Sequence, residues 1–127
     1  MPRIPCNPEG LPKAGGHFSH SVRSGNTVWA SGQGAQDPQT GVLVGDDVAT
    51  QTTRTLENLE AALAASGAKL SDVVRVGVFI TTPEDFAAMN VAYAAFWGDA
   101  PPARTTVSVG LPAGMLVEID AMAVISD

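Results

Sequence analysis

Val48, Thr52, Leu56, Leu59 and Leu63 recur at helical spacing, and the pattern predicts a helix with one buried face. Asp46 and Asp47 stand just before it, with side-chain oxygens able to accept from its first free amides, and Gly67 supplies a left-handed cap after Ser66. The stretch 72–81 is rich in valine, ends in Phe79-Ile80, and reads as a buried strand interrupted by Arg75. Thr82-Pro83-Glu84-Asp85 combines a capping hydroxyl, a first-turn proline and acids against the dipole, the makings of a helix start. Phe86, Met89, Tyr93 and Phe96 line one face of this second helix, and Gly98 closes it. Pro101-Pro102 then forces an extended entry into a strand at 104–109. Leu111-Pro112-Ala113-Gly114 turns the chain into 115–125, the longest strand-like stretch.

Upstream, residues 1–16 hold four prolines and three glycines, so this segment reads as an extended arm rather than a helix. Residues 19–31 read as a hairpin turning at Ser24-Gly25-Asn26, with Val28-Trp29-Ala30 in its second strand. A turn-rich loop, Asp37-Pro38-Gln39-Thr40-Gly41, precedes a brief Val42-Leu43-Val44 strand. The resulting order is an α+β layer: a mixed sheet of about five or six strands with two helices on one face. The other face then requires a cover, which in so short a chain points to association of subunits.

Composition sharpens that picture. The 127 residues suffice for one compact domain with a core that needs no disulfide or structural metal. Only 16% are charged, below the quarter or so usual for soluble chains, consistent with apolar surface covered by a partner copy. A formal charge of −6, with seven basic residues scattered along the chain, repels phosphate backbones and anionic membranes, so neither nucleic acid nor membrane is an expected partner. Cys6 is the only cysteine, no run approaches the roughly 20 apolar residues of a membrane helix, and the N-terminus lacks a signal-like stretch. A cytoplasmic location is expected.

The most informative pair is Arg104 and Glu118. If the turn at Pro112 makes the last two strands antiparallel neighbours, Arg104 lies opposite Asp120 and Thr106 opposite Glu118, all on one sheet face. The plain alternative is a cross-strand ion pair contributing about 0.2–1 kcal/mol. Arginine, however, grips a planar carboxylate through two parallel hydrogen bonds, and a nearby glutamate aligns or deprotonates water. Together they describe a site that hydrolyses a small organic acid.

Other candidates carry less. His17 and His20, three apart in an extended segment, point to opposite faces with no third ligand, so they read as surface or interface histidines and no metal is expected. Gly32-Gln33-Gly34 lacks the third glycine and the following helix of a dinucleotide fingerprint. Cys6, in the arm, reads as packing, and the aromatic residues in periodic segments read as core or interface.

Several segments, in order, resemble one family. They are Trp29-Ala30-Ser31-Gly32-Gln33, the Asp37–Gly41 loop, Gln51-Thr52 through Leu56–Leu59, Asp85-Phe86 with Asn90 and Tyr93, Pro102–Val107, and Leu111-Pro112 with Val117-Glu118-Ile119. From about Gly16 to Val124 the chain resembles the Rid family of reactive-intermediate imine deaminases, also called the YjgF type. The resemblance implies a single domain over 1–127 and a chorismate-mutase-like homotrimer with sites at subunit interfaces. It implies hydrolysis of 2-imino or 2-enamino acids to 2-keto acids and ammonia, without cofactor or metal. Arg104 matches the carboxylate-binding arginine and Glu118 the glutamate proposed to position water. Ser31 and Gly32 match the pocket lining, the carbonyl of Thr106 an acceptor for the substrate nitrogen, and Asn90 a residue near the site. Phe18 stands where family members often carry tyrosine, and the 104–118 connection is one residue shorter than usual. The alternatives are a non-catalytic carboxylate-binding trimer and, as a third reading, a ribonuclease or translation inhibitor.

Overall fold

The computed structural model describes residues 1–126. Six strands form one sheet: β1 (Ile4–Cys6), β2 (Ser21–Ser24), β3 (Thr27–Gln33), β4 (Val73–Ile80), β5 (Ala103–Ser108) and β6 (Val117–Val124). Two helices, α1 (Val48–Ala65) and α2 (Phe86–Ala94), cover one face. The spatial order is β1-β2-β3-β6-β4-β5, with β4–β5 the parallel pair and the other neighbours antiparallel.

Local signals explain most elements. Asp47 caps α1 by accepting from the Thr50 amide at 3.0 Å, and Gly67 follows at φ +87°. Val48, Thr52, Leu56, Leu59 and Leu63 are all buried, as their spacing predicts. Gly25, at φ +60°, turns the β2–β3 hairpin. The arm does more than extend: its β1 pairs with β2 and lengthens the sheet. The expected 42–44 strand is only a single bridge between Gln36 and Leu43. Thr82 does not cap α2; its hydroxyl turns to Glu84, and a 3-10 turn at Pro83–Asp85 leads into the helix.

The expected hairpin between the last two strands does not form. The connection after β5 passes over the end of β4, where the Val109 amide donates to Ile80 and the Thr81 amide to Leu116. β6 then inserts between β3 and β4. The cause lies in side-chain chemistry. β6 sends Val117, Ile119, Ala121 and Ala123 inward, and such residues gain most from a central place beneath a helix. β5 sends Arg104 and Thr106 inward, polar groups that suit an edge.

Polar groups on α1 hold the loops that cross the sheet ends. Gln51, 1% exposed, donates to the carbonyls of Gly45 (3.1 Å) and Gly114 (2.9 Å) and accepts from the Leu116 amide (2.9 Å). Seven residues on, Asn58 donates to Gly34 (2.9 Å) and Gln36 (2.8 Å). These bonds tie the start of β6 and the loop after β3 to one helix. Replacing Gln51 by Leu strands three partly buried backbone groups, and we expect a loss of about 1–2 kcal/mol in urea unfolding. A variant as stable as wild type would show that the loops are held by other means.

Candidate active site

Arg104 points to the helix-covered side of β5, because it pairs with the fully buried Val76 across the sheet. There α2 meets it. One terminal nitrogen, Nη1, donates to Asn90 Oδ1 at 2.7 Å. The guanidinium carbon lies 4.7 Å from the Tyr93 ring centroid and 5.6 Å from that of Phe86. Its cavity, about 330 Å³, is lined by Asn90, Tyr93, Trp97, Pro101, Pro102 and Arg104 among others. Burial raises the Tyr93 hydroxyl pKa, and the charge and nearby donors of Arg104 oppose the rise.

Two residues along β5, Thr106 faces the same side, and its hydroxyl is buried without a partner. Strand alternation says more about its backbone. Val109 turns its amide toward β4, so even-numbered residues turn their backbone groups to the open edge of the sheet. The Thr106 carbonyl therefore stands free to accept a hydrogen bond.

Glu118 belongs to a different cavity. It alternates with the buried Val117 and Ile119, so it projects from the bare face of the sheet. Around it is a cavity of about 340 Å³ whose lining includes Lys13, Phe18, His20, Gly32, Gln33 and Asn58. The register shift between Ala30 and Gln33 brings Gly32 against the carboxylate; a Cβ there would lie 2.8 Å from Glu118 Oε2. Burial, and then the neighbouring charge of Asp120, hold the Glu118 carboxyl above its ordinary pKa of 4.5. Asp120 accepts from the Gly77 amide at 3.1 Å on the same bare face.

The expectation that Arg104, Thr106, Glu118 and Asp120 share one sheet face is thus corrected. With β4 between β5 and β6, residue 104 pairs with Val76, which in turn pairs with Ala121, and the two charged groups open on opposite faces. Among the predicted residues, Arg104, Thr106 and Asn90 form one group, and Glu118, Gly32 and Phe18 the other. Ser31 lies next to Gly32, its hydroxyl donating to the Ser19 carbonyl at 2.6 Å.

The histidines divide. His17 is exposed, whereas His20 is buried rather than superficial. Its Nε2 donates to the Pro12 carbonyl (2.6 Å) and its Nδ1 accepts from Gln33 (3.1 Å), stapling the arm beside the Glu118 cavity. No group of residues suited to hold a metal occurs among the described residues, and no helix among them is long and apolar enough to cross a membrane. The sequence reads Phe86 and Tyr93 as core or interface residues; Tyr93 is indeed in the core, Phe86 is half-exposed, and the contact of both with the arginine was not foreseen. Their spacing with Asn90, four and then three residues, was the available signal.

Residues 9–125 match the family described as Endoribonuclease L-PSP. A RutC family protein of Pyrococcus horikoshii is 42% identical over 116 residues, covering 91% of this chain and 92% of that protein. The 2-iminobutanoate/2-iminopropanoate deaminase of Salmonella typhimurium is 40% identical over 120 residues, covering 91% and 93%. The crystal structure of RidA from the Antarctic bacterium Psychrobacter sp. PAMC 21119 superposes with a TM-score of 0.91 at 36% identity, covering 96% and 99% of the two chains. A mixed six-stranded sheet with two helices on one face is the architecture of the Rid proteins. The chain belongs to the Rid family, within the endoribonuclease L-PSP group.

The environment of Glu118 predicts a titration. Its carboxyl carbon, followed by NMR, is expected to titrate with a midpoint above 4.5, and Asp120→Asn is expected to lower that midpoint by removing a like charge. An unchanged midpoint in the variant would mean that the two carboxylates do not interact.

Proposed function

We propose that this chain is a cofactor-independent hydrolytic deaminase that converts 2-imino and 2-enamino acids to 2-keto acids and ammonia, acting as a homotrimer. The observation that carries the reading is Arg104: a cation held from one side by Asn90, Tyr93 and Phe86, fronting a cavity, with no carboxylate among the described residues bound to it. The deaminase relative, at 40% identity, supports the chemistry. Two further features support assembly. Trp29 and Val107, 46% and 40% exposed, lie with Phe79 and Met122 on the uncovered sheet face, an apolar surface suited to a second copy. The arginine and glutamate groups are also separate within one chain, so a complete site joins Arg104 of one copy to Glu118 of the next.

In that joined site Arg104 fixes the substrate carboxylate through its remaining donors, and the adjacent electrophilic carbon is placed beside the glutamate. The free Thr106 carbonyl accepts from the imine N–H and orients the C=N bond. With the imine nitrogen protonated, ionised Glu118 takes a proton from water as the water oxygen bonds to C2 and the C=N π pair moves onto nitrogen, giving a neutral tetrahedral carbinolamine. Transfer of that proton to nitrogen and cleavage of the C–N bond release ammonia, and loss of the hydroxyl proton leaves the keto acid. One imino acid and one water thus yield one keto acid and one ammonia. The family description names an endoribonuclease, but a net charge of −6 with scattered basic residues offers little grip on a polyanion.

The test generates 2-iminobutanoate in situ and follows its loss. Arg104→Lys keeps the charge and loses the fork, so kcat/KM is expected to fall by about tenfold to a hundredfold in a folded protein. Light scattering is expected to give three times the 13.0 kDa chain mass. Arg104→Ala and Glu118→Ala are each expected to be inactive. Refolded together in equal amounts they should regain about a quarter of wild-type turnover, because random trimers contain that share of intact sites. Mixed trimers that stay inactive would rule out a site shared between copies.

A further inference from the structure

We infer that Phe86, Asn90 and Tyr93 of α2 form a neutral clamp that sets the orientation of the Arg104 fork without consuming its charge, making all three positioning residues for an anionic substrate. This rests on the deaminase reading above and adds to it the residues that select for a carboxylate.

The three positions follow one another at spacings of four and three on α2 and so lie along a single stripe of the helix. Each meets the same guanidinium: Asn90 Oδ1 at 2.7 Å from Nη1, the Tyr93 ring centroid at 4.7 Å and the Phe86 ring centroid at 5.6 Å from the guanidinium carbon. An amide carbonyl and two aromatic faces can hold a cation only through partial charges. A carboxylate in any of these places would neutralise the arginine and compete with the substrate for its donors. Among the described residues the sole ion pair is Arg54 with Glu57, so within one chain no described carboxylate neutralises Arg104.

The clamp accounts for two oddities of α2. Phe86 falls on the apolar face of the helix pattern yet is 44% exposed, because it borders Arg104 instead of entering the core. Tyr93 is 4% exposed, yet its ring centroid lies 4.7 Å from the guanidinium carbon, a charged neighbour for a core residue. With Asn90 holding Nη1, the rest of the fork is left to the ligand. A long side chain that would otherwise sample many rotamers is thereby ordered before the substrate arrives, and binding costs less entropy.

The test measures imine turnover, and separately the binding of 2-oxobutanoate by calorimetry, in wild type, Arg104→Ala, Asn90→Ala, Asn90→Asp, Tyr93→Leu and Tyr93→Phe, each checked for folding by thermal melting. Asn90→Ala is expected to raise KM and weaken keto-acid binding by about threefold to tenfold, with kcat changed less. Asn90→Asp should weaken binding more, and the loss should diminish toward acid pH as the new carboxyl protonates, a response that a purely structural defect would not give. Tyr93→Leu should weaken binding, and Tyr93→Phe should restore it. Asn90 is only partly buried, so its variants test the clamp even if Tyr93→Leu fails to fold. If Arg104→Ala abolishes binding while Asn90→Asp and Asn90→Ala bind as wild type does, the clamp is refuted and the deaminase reading stands. If Arg104→Ala itself turns over and binds normally, that reading falls and the clamp with it.

Discussion

The central place of β6 is the constraint from which the rest of the arrangement follows. Its inward residues, Val117, Ile119, Ala121 and Ala123, are buried against the helices, and a fully buried Val or Ile contributes about 1.5–3 kcal/mol relative to exposure. A strand of that composition gains most with neighbours on both sides. Once β6 lies between β3 and β4, β5 is left at the edge, and Arg104 comes under α2 rather than beside Glu118. The separation of the two charged groups is therefore a consequence of core packing.

Each group is then conditioned by its own surroundings. Arg104 meets neutral partners that steady it and leave its charge intact. Glu118 sits against a glycine, and its partial burial, followed by the nearby charge of Asp120, favours its protonated form. A cation kept free and an acid held above its usual range suit a reaction that begins by anchoring an anion and continues by moving a proton of water. The buried amides of α1 serve the same end indirectly. Gln51 and Asn58 fix the loops at the mouth of β6 and after β3, and so set where Glu118 and Gly32 meet.

The bare sheet face completes the logic. Trp29 and Val107 remain on it because helix cover exists on one side only, and a chain with two helices has no further element to spend there. In the proposed trimer, the surface that needs covering and the half-sites that need joining are satisfied by the same contact between copies.

The types of the main elements were legible in the sequence because they depend on near neighbours. The spacing of Val48 to Leu63, the Asp47 cap, Gly67 and the Gly25 turn each act within one or two turns of chain. Arg104 and Glu118 stood out by residue type alone, but the antiparallel pairing that joined them in the sequence reading does not occur. Strand order was not legible: alternation tells which face a residue takes but not which strand lies beside it, and a turn at Pro112 is compatible with a hairpin or with a step across β4. Nor could spacing show that Phe86 and the core residue Tyr93 would both face a guanidinium, or predict that His20 would be buried as a staple for the arm. Those outcomes depend on contacts between segments far apart in the chain, and only the packing of the whole sheet against its two helices decides them.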